Sequence, residues 1–396
     1  MMESEIVNSI IENDVYALME FKNIESLRGA NYQLDLKLPQ SDIQNYKFIL
    51  PKQGLSLLHI AAISDSLECF IYLFKNVGIP LTKQSSFGYT PLHYAVQGKS
   101  LEILSFYLAY SNIKYDIDFQ SIFEAEYKKS ADINLPYIAI ATKSVKSLEI
   151  LKNLGYSFKK LSYIKNLVDL AINVNDFDCL EWILNNVFYS EKAEIESLQQ
   201  AVFLDFDNAF DFLFSRNKEN ALKMNDSKQN ALEIACRKQK TKIVEKILYY
   251  FDNIDAPKEI NAKGAVHWLC QSQNLEIANL ILEKKIDVNR LDENHKLGPY
   301  YMIDAENEDI CLNILKLLVQ KGFEIDKHAK DKRTILGEYV MSIKKSPKII
   351  EYLIDIGASL DTMVTPERTI KEQLLINSKR NPVFKKIILK YPSKFT

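Results

Sequence analysis

Gly88-Tyr89-Thr90-Pro91-Leu92-His93-Tyr94-Ala95-Val96 is followed three residues later by Ser100-Leu101-Glu102-Ile103-Leu104-Ser105-Phe106-Tyr107-Leu108, and together these stretches decide the fold. Thr90 before Pro91 is an N-cap followed by proline at the first helical position, where its missing N–H is of no consequence. Apolar residues then recur at i, i+3 and i+4, first over Leu92–Val96 and again over Leu101–Leu108, so two short amphipathic helices follow one another across a polar gap.

The pattern recurs. Gly54-Leu55-Ser56-Leu57-Leu58-His59-Ile60-Ala61-Ala62 precedes Leu67-Glu68-Cys69-Phe70-Ile71-Tyr72-Leu73, and His59 lies 34 residues before His93. The small residue of the first helix can be followed through Ala61, Ala95, Ala141, Ala171, Ala201, Ala235, Leu269, Ile303 and Tyr339, in steps of 34, 46, 30, 30, 34, 34, 34 and 36. A second apolar run trails each position, as in Cys179–Leu184, Ile243–Leu248, Ile310–Leu315 and Ile349–Ile354. Several runs close on a glycine: Gly78, Gly155, Gly322 or Gly357. One helix pair buries too little to stand alone, so such a chain is stabilised by the interfaces between stacked neighbours. A small residue every ~34 positions lets adjacent first helices approach closely.

With Thr90-Pro91-Leu92-His93 and this period, the chain resembles ankyrin-repeat proteins, over nearly its whole length. The resemblance implies an all-α, ankyrin-type solenoid of about ten helix-turn-helix repeats joined by β-hairpin-like loops. Residues 1–45 are expected to form a degenerate N-terminal capping repeat, two short helices broken at Asn13-Asp14, and a connection. Residues 46–365 are expected to form the array, with an insertion around 109–135 implied by the step of 46. Residues 366–396 are expected to form basic C-terminal capping helices carrying eight Lys and Arg against two Glu. Gly357-Ala358-Ser359-Leu360-Asp361 and Lys285-Ile286-Asp287-Val288-Asn289 resemble the family's hairpin start.

Composition narrows the function. The 396 residues carry 50 Lys and Arg against 52 Asp and Glu, a net charge of −2, which excludes wholesale nucleic-acid wrapping. Eleven glycines, about 3% against the usual ~7%, argue against Gly-rich phosphate loops and against a sandwich or barrel. Ten family-like repeats would hold about twenty, so Asn and Lys are expected in many turn positions. No apolar run approaches the ~20 residues needed to span a bilayer, and the acidic, polar N-terminus lacks the basic start of a secretory signal. A cytoplasmic protein is expected.

Candidate chemistry is sparse. Phosphate-loop, dinucleotide, H-E-x-x-H and G-x-S-x-G motifs are absent from the sequence. Cys69, Cys179, Cys236, Cys270 and Cys311 are odd in number and widely spaced, and read as buried, reduced thiols. Cys270 lies three residues after His267, but Cys236 holds the equivalent slot beside Glu233, which reads as a core position. His59, His93 and His267 share one repeat slot, where a ring bridges backbone groups; His295 and His328 fall in hairpin loops without ligand-spaced partners. No catalytic residue, metal or cofactor is therefore assigned, and no small-molecule substrate is expected.

Binding is the better-supported expectation. The family resemblance implies a concave groove lined by hairpin tips and the exposed side of the first helices. Mapped onto this chain, protein-binding positions are Phe87, Tyr89, Gln97, Arg237, Lys238 and Gln271, with Asn173, Ser272, Ala305, Glu306 and Met341 at equivalent positions. Exposed aromatics at a tip make good anchors, although Phe87 and Tyr89 could equally pack between hairpins. A basic turn (Arg237, Lys238, Lys240, Lys242) and an acidic one (Asp304, Glu306, Glu308, Asp309) are either solvated faces or register marks for a complementary partner. Ile281 and Asn289 resemble the pattern at which ankyrin hairpin asparagines are hydroxylated, but Asn289 reads first as an ordinary turn residue. The expected function is a non-catalytic interaction scaffold or adaptor, a monomer with protein partners; nucleic acid and membrane are not expected partners. The alternatives are a substrate-docking subunit acting with an enzyme such as a ubiquitin ligase, and a membrane-surface tether through the basic C-terminus.

Overall fold

The computed structural model describes residues 2–21, 24, 29, 32, 50–113, 134–158, 164–187, 190–255, 262–329, 333–344 and 346–395. The 31–53 connection and the 109–135 insertion lie for the most part outside them. The chain forms two compact units, residues 1–193 and 194–396.

In the first unit α1 (Met2–Ile11) and α2 (Val15–Glu20) form the initial pair. They break where the sequence says: Asn13 turns the chain at φ +54° and Asp14 caps α2, accepting from Ala17 N at 2.9 Å. Next come α3 (Leu57–Ile63) with α4 (Leu67–Lys75), α5 (Pro91–Gly98) with α6 (Leu101–Ile113), α7 (Leu135–Ala141) with α8 (Val145–Asn153), and α9 (Ile164–Asn173) with α10 (Phe177–Asn186). First helices stack on first helices, α3 on α5, α5 on α7 and α7 on α9. Ala61, Ala95, Ala141 and Ala171 are buried at those junctions, as the ~34-residue spacing requires. The second helices add a cluster of rings: Phe70, Phe106 and Tyr107 meet edge to face at 5.8 to 6.4 Å, beside Phe74 and Tyr110.

The helix α11 (Glu191–Phe203) leads into the second unit, where it pairs with α12 (Asp207–Arg216). Then follow a 3-10 turn (Lys218–Ala221), α13 (Ala231–Arg237) with α14 (Thr241–Tyr250), and α15 (Ala265–Ser272) with α16 (Leu275–Leu282). One repeat departs from the expected pattern. Its first helix is a 3-10 turn (Gly298–Met302) ahead of α17 (Glu308–Gln320). Gly298 is pressed so closely on its neighbour that an added Cβ would lie 2.8 Å from the Val266 carbonyl, and Pro299 supplies no backbone N–H. The pair α18 (Ile335–Met341) and α19 (Pro347–Asp355) restores the pattern.

A short antiparallel hairpin, β1 (Met363–Thr365) and β2 (Arg368–Thr369), opens the last pair, α20 (Ile370–Arg380) and α21 (Pro382–Lys390), before α22 (Pro392–Phe395). Phe384 and Ile387 are fully buried, and Lys390 and Lys394 reach back to Glu351 (2.6 Å) and the Ile354 carbonyl (2.7 Å). The basic segment is therefore packed onto the array as its final layer.

The glycine deficit has a structural counterpart. Between the helices of a pair the left-handed position is held by Asn13, Asp65, Lys99, Lys143, Asn175, Asp205, Gln239 and Gln273, with φ of 46° to 65°. Asn and Lys were expected there; Asp and Gln take part as well. Glycine is kept at the close of second helices (Gly78, Gly155, Gly322, Gly357) and at two hairpin tips (Gly54, Gly88). Two of the left-handed side chains also reach across to the next repeat. Asn13 Oδ1 accepts from Cys69 N at 3.2 Å, and Asp65 Oδ1 from Ile103 N at 3.2 Å, so each caps the second helix of the following pair.

Candidate protein-interaction face

The face of interest is formed by the hairpins and the first helices, so its rigidity depends on how each hairpin is fastened to the next. The histidine slot does this. Ser56 N and Ser56 Oγ lie 3.0 and 2.7 Å from His59 Nδ1, while His59 Nε2 lies 3.0 Å from the Tyr89 carbonyl. A backbone N–H can only donate and a carbonyl can only accept, so Nδ1 is bare and Nε2 carries the proton. The ring is neutral. Burial pushes its pKa down to about 4, which agrees with that assignment. His267 repeats the arrangement with Gly264 N (3.0 Å) and the Lys296 carbonyl (3.0 Å), and burial lowers its pKa as well. His93 receives Thr90 N and lies beside Thr90 Oγ1 at 3.1 and 2.8 Å.

Gln199 and Glu233 stand in this slot in two further repeats. Gln199, two positions before Ala201, donates from Nε2 to the Gln229 carbonyl at 3.0 Å, and its Oε1 accepts from Asn225 Nδ2 at 2.6 Å. The sequence reading missed it, although the two-residue offset from the small residue would have marked it. Glu233 is buried with its carboxylate 3.8 Å from Lys263 Nζ and 4.0 Å from Arg237 Nη1, and burial outweighs both cations in raising its pKa. The cysteines are free and buried, and desolvation raises every thiol, Cys69 to about 12 and Cys311 to about 11. Such thiols are poor nucleophiles at neutral pH.

The six candidate binding residues divide between the units. In the first, Phe87 stands at the hairpin tip and is 54% exposed. Tyr89 is half-buried, its ring 5.4 Å from that of His93, so of the two aromatics Phe87 is the one presented outward. Gln97 is half-buried on α5, and its Oε1 has no hydrogen-bond partner among the described residues. Gln271 on α15 repeats that condition in the second unit. On the neighbouring α13, Arg237 is drawn toward Glu233, and Lys238 lies 3.9 Å from the centroid of the half-exposed Phe203 ring. Ser272 does not belong to the face: it is 1% exposed and its hydroxyl donates to the Leu269 carbonyl at 2.7 Å. A helix position one residue beyond Gln271 has rotated inward.

The charged runs are largely engaged within the array. Lys240 pairs with Asp205 at 2.5 Å, Asp309 with Lys348 at 2.6 Å, and Glu308 accepts from Lys348 N at 2.7 Å, capping α19. Asn289 bridges to the next repeat, donating to the Gly322 carbonyl at 2.9 Å and accepting from Glu324 N at 2.8 Å.

A groove of about 620 Å³ lies on this face in the second unit, between the 298–302 turn and α18. Asn294, His295, Lys296, Ala329 and Arg333 form its hairpin end, and Ile303, Asp304, Met341, Ser342 and Ile343 its far end. Of the helix positions mapped from the family resemblance, Met341 lines it, beside His295, Ile303 and Asp304, which the sequence had marked for other reasons.

The period and the stacked helix pairs were compared with known proteins. A family model described as ankyrin repeats (3 copies) matches residues 23–120 and 198–292. This is an ankyrin-repeat protein. The fold of the chain is the all-α ankyrin solenoid, typically a non-catalytic scaffold for protein–protein interaction. The chain is similar to the crystal structure of the human ASB11 ankyrin repeat domain, with 16% identity, 66% of this chain and 98% of that one covered, and a TM-score of 0.32. No curated protein is significantly similar. Among the described residues no group of three or more His, Cys, Asp or Glu could hold a metal ion, and no helix is long and apolar enough to cross a membrane.

Proposed function

We propose that this ankyrin-repeat protein is a cytoplasmic, monomeric, non-catalytic scaffold or adaptor that holds a protein partner on its hairpin and first-helix face. The observation carrying this reading is the contrast between the second-helix side and that face. Second-helix charges are tied to one another from repeat to repeat, whereas the hairpin face keeps an outward-facing Phe87 and an open groove. Exposed aromatic surface gains most from a partner that covers it.

Affinity capture with mass spectrometry from the cells that make the protein tests this. Wild type is run beside Phe87→Ala/Gln97→Ala and Lys238→Ala/Gln271→Ala, each first shown to be folded by circular dichroism. A partner recovered by wild type and depleted at least tenfold by either double variant is the expected result. Equal recovery by all three would overturn this use of the face.

A further inference from the structure

Resting on that reading, we propose that the groove of the second unit takes an extended peptide that places a carboxylate at Lys296 and a bulky apolar side chain on Met341 and Ile343, three to four residues apart. The far end is apolar and outward-facing: Ile343 is 96% exposed and Met341 36% exposed, with half-buried Ile303 between the two walls. An isoleucine held almost wholly in water favours a partner that covers it.

The hairpin end is cationic. Arg333 is neutralised by Glu338 at 3.3 Å and held by the Val364 carbonyl at 2.7 Å, which leaves the exposed Lys296 ammonium as the groove's cation without a partner among the described residues. His295 and Asn294 sit beside it as exposed polar groups. An anion at the groove argues against a polyanion such as nucleic acid. Asp304 stands at the far end, so a uniformly negative ligand would meet like charge once past Lys296.

The spacing follows from the scaffold. Lys296 precedes the first element of one repeat and Met341 ends α18 of the next, so their separation combines the length of the seven-residue α18, about 10 Å, with the spacing of packed helices, about 9 Å, a diagonal of about 13 Å. An extended chain advances about 3.3 Å per residue, so about four residues separate the acid from the apolar anchor.

The test is selection of a phage-displayed library of random twelve-residue peptides on the full chain. Enriched peptides are expected to carry Asp or Glu three or four positions from Leu, Ile, Met or Phe. Ile343→Asp should weaken the selected peptides at least tenfold. Lys296→Glu should do the same and, on reselection, replace the acid with Lys or Arg. Matching thermal melts show that the variants fold, since both side chains face solvent. Enrichment of peptides without that spacing, undiminished binding to both variants, or no enrichment at all would overturn the proposal. Peptides insensitive to both variants but lost with Phe87→Ala/Gln97→Ala would overturn the groove while leaving the broader interaction reading intact. That broader reading fails separately, by equal partner capture with all three proteins.

Discussion

The joints built on His59 and His267 and the joint built on Glu233 occupy the same slot and solve the same problem with different chemistry. A neutral imidazole accepts from the cap residue on one nitrogen and donates to the next hairpin on the other, so a single buried ring satisfies two backbone groups without carrying charge. Glu233 has only acceptors when ionised. It draws in Lys263 and Arg237 at 3.8 and 4.0 Å, and the desolvation of its carboxylate exceeds what those cations return. Where the slot joins two hairpins, a side chain that reaches two ways satisfies both, and histidine does so at the lower cost. Gln199, also neutral and two-sided, is the alternative the protein uses one repeat earlier.

The largest effect expected from breaking this comparison is His267→Ala, which strands the Gly264 N–H and the Lys296 carbonyl in the interior. A loss of about 3 kcal/mol by urea unfolding is expected. A loss below about 1 kcal/mol would mean that the bridge contributes little.

The pH dependence comes next and differs in sign between the two joints. The His59 pKa lies near 4 when folded against about 6.5 when unfolded. The unfolded chain thus binds more protons between those values. Its contribution is fully present above pH 6.5 and is lost as pH falls toward 4, by up to about 3 kcal/mol. For Glu233 the folded pKa lies above the unfolded value of 4.5, so the folded chain binds more protons in that window, and stability falls as pH rises through it. Unfolding of wild type and Glu233→Gln across pH 4 to 8 separates the two. The variant is expected to gain on wild type as pH rises, ending about 1 kcal/mol ahead near neutrality. A variant that falls behind would show the ion pairs outweighing desolvation.

The smallest effect concerns the turns within each pair. Gln239→Gly and Gln273→Gly relieve a left-handed residue at φ of 56° and 46°, and each should raise stability by about 1 kcal/mol, less the entropy glycine adds to the unfolded chain. A lowered melting temperature in both would contradict that view of the turns.

Much of this was legible in sequence because it rests on local rules. Thr90-Pro91 announces a helix start, the alanines at ~34-residue steps announce close stacking, and the histidines repeat at a structural position. What was not legible depends on three-dimensional juxtaposition. Gln199 looks like any polar helix residue until the carbonyl of Gln229 is placed beside it. The close approach of Gly298 to the Val266 carbonyl, a neighbour 32 positions away, is likewise invisible in the sequence. Of the face residues, Met341 was found by register, but Ile343 lies past the helix end where no periodicity applies. Ser272 was misplaced because one further step around a helix turns a side chain inward.

The central claim is that the hairpin and first-helix face holds a protein partner. Hydrogen exchange of the chain, alone and bound to a partner recovered by affinity capture, tests it most directly. Slowed exchange in the hairpins and first helices, at 85–98, 231–239, 265–273, 292–304 or 335–344, with second helices such as 241–250 and 308–320 unchanged, is the expected result. Protection confined to the second helices would contradict it.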